Sequence, residues 1–181
     1  MSFDLTPGTW NLDPSHSEVG FVVRHAGISK VRGAFTDVTG VLSVGDSIDS
    51  SSVRAEVKTG SFDSKDKNRD DHVKGPDFFD VEQFPEMLFV STGISGAGED
   101  FELQGDLTIK DTTKPVNFTV EFGGVAVDPF GATRAGFSAT TQISRKEFGI
   151  TWNAALEAGG VLVGDKVTIN IDSAFVLASQ G

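Results

Sequence analysis

The segments Phe101-Glu-Leu-Gln-Gly-Asp-Leu-Thr-Ile-Lys110 and Val116-Asn-Phe-Thr-Val-Glu-Phe122 decide the fold class. In the first, Phe101, Leu103, Leu107 and Ile109 alternate with Glu102, Gln104, Asp106, Thr108 and Lys110. In the second, Val116, Phe118, Val120 and Phe122 alternate with Asn117, Thr119 and Glu121. Successive side chains of a strand point to opposite faces, so each segment has one apolar face and one polar face. Asp111-Thr-Thr-Lys-Pro115 between them is rich in turn formers, and the whole reads as a β-hairpin.

The same period of two extends outward in both directions. Thr9–Leu12, Glu18–Arg24, Ala34–Val44, Val53–Ser61, Met87–Ser95 and Arg134–Ile143 are strand-like, and Val167, Ile169, Ile171, Phe175 and Leu177 share a face. About eight or nine strands without long helices imply an antiparallel barrel or sandwich, and closure into a barrel would remove exposed edges. Gly20, Gly40, Gly105 and Gly136 lie inside strands, where bent and strongly twisted sheets tolerate them. Helix is confined to Lys65–Val73, with Asp63 or Ser64 as the N-cap, and to a turn over Ser144-Arg-Lys-Glu147 that Gly149 ends. The tail Ala178–Gly181 is expected to fray.

A length of 181 residues fits one domain over residues 1–181. The 15 Lys and Arg against 26 Asp and Glu give a net charge of -11, which argues against nucleic acid and anionic membrane surfaces as partners. The longest basic cluster in the sequence is the pair Arg145-Lys146. Cysteine is absent, which excludes disulfides, thiolate nucleophiles and Cys-based zinc sites. No run approaches the ~18 apolar residues of a membrane span, so stable membrane insertion is not expected. The N-terminus has no basic segment leading into an apolar one, and the chain reads as cytoplasmic.

Few residues offer chemistry. Asp13, Ser15, His16 and Ser17 include every type of a hydrolytic triad, but neighbours on an extended chain point in alternate directions, and no G-x-S-x-G elbow occurs. A turn capped by Asp13 or Ser15 explains them. His16, His25 and His72 have no metal-ligand spacing, and neither a metal nor a cofactor is expected. On a helix Arg69, His72 and Pro76 share a face near Phe78, Phe79 and Phe84, so Arg69 and His72 could meet a polar head group at the lip of an apolar pocket. An exposed helix with an Arg–Asp pair is the plainer alternative. Phe21, Phe35, Phe89, Phe101, Phe118, Phe122, Phe137 and Phe175 all fall in strands. The interior of an eight-stranded barrel either fills with such side chains or encloses one small ligand.

With these residues in view, the chain resembles the YceI-like, polyisoprenoid-binding family. The resemblance rests on Trp10-x-Leu-Asp13-Pro-Ser-His-Ser17, Phe21-Val-Val-Arg24-His25, Ile28-Ser-Lys-Val-Arg-Gly33-x-Phe35 and Arg69-Asp-Asp-His72. It continues through Pro76-Asp-Phe-Phe-Asp-Val81, Phe84-Pro85, Lys114-Pro-Val116, Ser144-Arg-Lys-x-Phe-Gly-Ile150-x-Trp152 and Gly164-Asp-x-Val167, in the family's order. The family usually has a glycine after the lysine where this chain has Lys110-Asp111. The resemblance implies an all-β, antiparallel, eight-stranded lipocalin-like barrel with one or two short helices and a long apolar pocket. It also implies an isoprenoid lipid or quinone as ligand, a possible homodimer, and export in many members, which makes a periplasmic or secreted location the alternative here.

The function expected is binding or transport of such a lipid without catalysis. Phe21, Phe35, Phe89, Leu103, Leu107, Phe118, Phe122, Phe137 and Phe175 are the candidate wall. Arg69 and His72, with Arg24 and His25, are the candidate head-group contacts. Two alternatives remain open: an enzyme using His72 or His16 as acid–base group with Arg69 as clamp, and a ligand-free, stress-related structural module with a filled barrel.

Overall fold

Alternation at Phe101–Phe122 does produce a hairpin, but a tighter one than the sequence implies. In the computed structural model, which describes residues 5–97, 99–153 and 162–178, β8 (Asp100–Ile109) and β9 (Thr112–Val127) flank a turn of only Lys110 and Asp111. Lys110 takes a positive φ of 59°, which closes the turn early and leaves Pro115 inside the ladder opposite Asp106. Ser179–Gly181, the part of the tail read as frayed, lie outside the described residues.

The remaining strands are β1 (Gly8–Leu12), β2 (Glu18–His25), β3 (Ser29–Phe35), β4 (Val38–Val44), β5 (Ser52–Lys58), β6 (Phe62–Asp63), β7 (Glu86–Ala97), β10 (Thr133–Ser144) and β11 (Val163–Leu177). All pair antiparallel in one sheet, ordered β1-β4-β5-β7-β8-β9-β10-β11, and β1 returns to β11 to close it. β2 continues the line of β1 along β11, β3 runs into β4, and β6 extends β5. The result is the closed eight-stranded barrel expected, built as an up-and-down meander.

Closure requires the break between β1 and β2 to be bridged. A 3-10 turn at Pro14–His16 interrupts the strand there. Asp13 N–H donates to Ala174 O at 2.8 Å, and Ala174 N–H donates to Ser17 Oγ at 3.1 Å, so the exposed backbone groups of β11 stay satisfied. The Asp13 carboxylate accepts from Ser15 N–H and Ser15 Oγ and, at 2.6 Å, from Arg134 Nη1 on β10; Arg134 Nε donates to Asp128. This ties the break to the neighbouring strands.

Two apolar clusters occupy the interior. At one end Trp10, fully buried, packs with Leu5, Leu42, Val44, Ala135 and Phe175, and its Nε1 donates to Thr6 O. The larger cluster lines the rest of the length around Phe35, Phe62, Phe89, Phe118 and Phe148. Gly105 belongs to this packing: a Cβ there would lie 2.3 Å from the Phe89 ring, so only glycine lets the ring cross the strand. At Gly136 the ladder to β9 shifts register, a bulge that bends the wall.

The one α-helix among the described residues, α1 (Lys67–Lys74), starts two residues later than the sequence implies, because Asp66 caps it through a bond from Arg69 N–H. Asp63 and Ser64 bond elsewhere, to Lys65 and Asp70, and Pro76 falls beyond the helix. Arg145–Phe148 forms a 3-10 turn that Gly149 ends at φ 79°, and Ser144 Oγ bonds Asp165 instead of capping it. No described helix is long and apolar enough to cross a membrane.

The clasp at Asp13 is sensitive to acid. Bonds from Arg134, then Ser15 and His16, hold its carboxyl well below the usual carboxylate range. A depressed pKa stabilises the fold above the ordinary carboxylate value, and that contribution fades as pH falls toward the depressed one. Asp13→Asn is expected to cost about 1 kcal/mol at neutral pH, with the gap to the native protein narrowing below about pH 4; urea unfolding at both pH values measures this.

Candidate functional site

Inward parity on a closed sheet sends the apolar faces of all strands to one space, and that space is not filled. A cavity of about 540 Å³ runs inside the barrel, lined almost wholly by apolar side chains. Its size falls within the ~300–1,000 Å³ typical of small-molecule sites. Packing of Trp10 with its neighbours closes one end. At the other, α1 and the chain after it lie across the barrel, with Phe79 edge-on to Phe35 at 5.5 Å and the centroids of Phe21 and Phe62 5.2 Å apart. The cavity reaches the surface at this end, where exposed Arg24 and His72, its side chain 43% exposed, line it.

Phe21, Phe35, Phe89, Leu103, Leu107, Phe118, Phe137 and Phe175 all face the cavity. Phe122 does not line it: it stacks on Phe137 with centroids 5.2 Å apart and packs against both apolar clusters. Its parity points inward like that of Phe118, but its position along β9 puts it toward the Trp10 end, where the interior is packed. Arg24, His25, Arg69 and His72 lie at the open end, as do Trp152 and Arg145.

Each polar group there is held differently. Arg69 is turned onto Ser64, with Nε donating to its Oγ at 2.8 Å and Nη2 to its carbonyl at 3.1 Å. His72 Nε2 lies 2.9 Å from Asp77 Oδ2, and its ring meets Trp152 edge-on at 4.7 Å and Phe78 at 5.1 Å. The Arg–Asp pair considered for this helix does not form; Asp70 accepts from Ser64 and Asp71 from Lys67.

Arg145 is the residue that sequence reasoning passed over. Its side chain is buried, yet no carboxylate among the described residues bonds it. Nε donates to Gly164 O, Nη1 to Ile150 O and Trp152 O, and Nη2 to Val163 O, all at 2.8–3.1 Å. Burial lowers its pKa, with Asp165 opposing, but a guanidinium remains charged at any ordinary pH. The planar fork suits diverging carbonyls as an ammonium would not, and so it joins the two sides of the β10–β11 connection at the cavity mouth. Of its five N–H groups, one has no partner among the described residues. The only sequence signal was an arginine next to a capping-box serine.

The Asp13–Ser15–His16 cluster has triad residue types but not triad geometry. Ser15 Oγ and Asp13 Oδ2 lie 3.0 and 2.8 Å from the same atom, His16 Nδ1, whereas a relay needs the two ring nitrogens to serve different partners. It also lies outside the cavity lining. Among the described residues no His, Asp and Glu side chains cluster in threes as a metal site would need.

Comparison with known proteins agrees with this architecture. The model of the YceI-like domain matches residues 10–175. A UPF0312 protein of Staphylococcus aureus (strain USA300) is 36% identical over 172 residues, covering 93% of this chain and 98% of the relative. Among solved structures, BcnA of Burkholderia cenocepacia superposes with a TM-score of 0.78 at 25% identity, covering 90% of this chain and 98% of that one. A polyisoprenoid binding domain from Saccharophagus degradans, implicated in plant cell wall breakdown, shares the fold at a TM-score of 0.72 but only 10% identity, over 93% and 98% of the two chains. This chain belongs to the YceI-like family.

Proposed function

We propose that this protein binds and carries one long apolar lipid, a polyisoprenoid or an isoprenoid-tailed quinone, inside the barrel. The observation that carries the reading is the apolar cavity of about 540 Å³ whose basic lining residues gather at its open end. That is the shape of a site for a ligand with a long hydrocarbon tail and a small polar head. The S. degradans domain, named for polyisoprenoid binding, has the same fold, which supports the ligand class by analogy only.

The tail supplies most of the affinity. At about 0.3 kcal/mol per heavy atom, a five-carbon isoprene unit contributes roughly 1.5 kcal/mol. A few units together therefore outweigh one head-group hydrogen bond of about 0.5–3 kcal/mol. The head group lies at the mouth, near His72, Arg24 and His25, with Arg145 Nη2, one of whose N–H groups has no partner among the described residues, as a donor for a carbonyl, hydroxyl or phosphate oxygen. Arg69, already bonded to Ser64, contributes charge more than a free hydrogen bond. The catalytic alternative has less support, since His72, bonded to Asp77, has its ring packed between Phe78 and Trp152.

Organic extraction of the purified protein, followed by mass spectrometry, is expected to release a near-stoichiometric isoprenoid or quinone. An empty protein that also fails to take up a panel of such lipids would instead establish a filled or unused barrel. Leu107→Trp and Phe118→Trp place an indole in the cavity at a cost of about 1–3 kcal/mol in stability. Both are expected to keep the β-sheet circular dichroism spectrum and to lose most of the retained lipid; full retention would remove these positions from the wall.

A further inference from the structure

Between Glu18 and Asp37 the chain has no acidic residue, in a protein with 26 of them. That stretch forms the β2–β3 hairpin, whose register sets Arg24 directly opposite Lys30, with Arg32 two residues further along the same outer face. Like charges opposed across strands destabilise a sheet, and a local rule broken this way marks a surface kept for something outside the fold. Lys166 extends the row, in the irregular part of β11 that faces Arg24. None of these four cations has an ion-pair partner among the described residues. Asp165, an acid beside them on β11, is engaged by Ser144 Oγ and Lys146 N–H.

The hairpin ends in an apolar tip. Ile28 is 90% exposed, and the tip is pinned over the cavity rim by Ala26 N–H donating to Leu162 O. His25 and Leu162 both line the cavity, so the tip, the cation row and the opening adjoin. Of the acids near α1, Asp71 is bonded by Lys67 and Asp77 by His72, while Asp66 and Asp70 accept from the neutral groups Arg69 N–H and Ser64.

We infer that the outer face of the β2–β3 hairpin docks the open end of the barrel onto an anionic lipid bilayer, with Ile28 dipping into the surface. The inference goes beyond lipid carriage and takes its purpose from it, since it places the mouth where a lipid can pass in or out. A net charge of -11 averages over the chain and hides this face. Asp46, Asp49, Glu99 and Asp128 lie in turns at the opposite end, with Asp100 at the strand end beside them. A twelve-residue strand such as β10, tilted as barrels require, spans roughly 30 Å. That exceeds the ~8 Å screening length of physiological salt, so those acids do not repel a surface held at the hairpin. A second copy of this chain is the poorer occupant, because a two-fold contact would press the cation row against itself.

Flotation with phosphatidylcholine vesicles, alone or with about 30% phosphatidylglycerol, tests this at low and at raised salt. The native protein is expected to partition at least tenfold better onto the anionic vesicles, with the difference collapsing at about 0.5 M salt. Each cation beside an anionic leaflet is worth about a fivefold gain, so Lys30→Glu with Arg32→Glu is expected to cost at least twentyfold. Ile28→Asp is expected to weaken binding roughly tenfold, while Phe130→Ser, 94% exposed at the closed end, leaves it unchanged. Equal binding to both vesicle types, an inert charge reversal, or an equal loss in Phe130→Ser would overturn the assignment, as would a dimer that the charge reversal dissolves. Lipid retention without vesicles, measured on the same charge-reversed protein, separates the two readings. Retained lipid with no vesicle binding in the native protein sinks docking alone, and vesicle binding by a protein that never holds lipid sinks carriage alone.

Discussion

Everything in this barrel depends on β1 pairing on both sides at once, with β4 through Trp10 and Leu42 and with β11 through Trp10 and Leu177. A sheet of this length left open would expose two edges of unpaired amides and carbonyls. Closing it satisfies those groups, but closure also fixes the circumference, and with it the width of the interior. Eight strands leave more room than one ring of side chains fills along much of the length. The cavity follows from the hydrogen-bonding requirement as much as from the choice of apolar residues.

The two ends meet this constraint in opposite ways. At the Trp10 end a large indole, with its N–H bonded to Thr6 O, packs the interior solid. At the mouth the carbonyls of Ile150 and Trp152, in the β10–β11 connection, and of Val163 and Gly164, at the start of β11, converge on one side chain. Arg145 collects all four. A buried charge that no carboxylate bonds among the described residues is costly unless its hydrogen bonds are met, and here four of the five N–H groups are met among those residues. Stabilising the rim is one use of this side chain, to which the proposed function adds contact with a ligand head group.

Cationic charge is gathered locally. Acids lie at both ends of the barrel, whereas the β2–β3 hairpin beyond Glu18 has cations only and is tipped by Ile28. The apolar space, the polar rim and the cation row share one end of the molecule. Lipid carriage and surface docking thus call on the same geometry.

The sequence alone determined the class of structure and most of the wall. Alternation at Phe101–Phe122 specified inward and outward faces, because side-chain direction in a strand is a local property, and it placed Phe89, Leu107 and Phe118 toward the interior. The ordered motifs from Trp10 to Val167 identified the family. Only the tertiary structure decided what depends on position along the barrel axis. Phe118 and Phe122 are indistinguishable by parity, yet one lines the cavity and the other packs beyond it. Arg145 looked like a helix-start residue, because its acceptors lie up to 19 positions away in the chain. Arg24, Lys30, Arg32 and Lys166 form no basic run in sequence; register across three strands assembles them. Local pattern fixes which way a residue points, whereas height in the barrel and neighbours across strands are set by closure, a property of the whole chain.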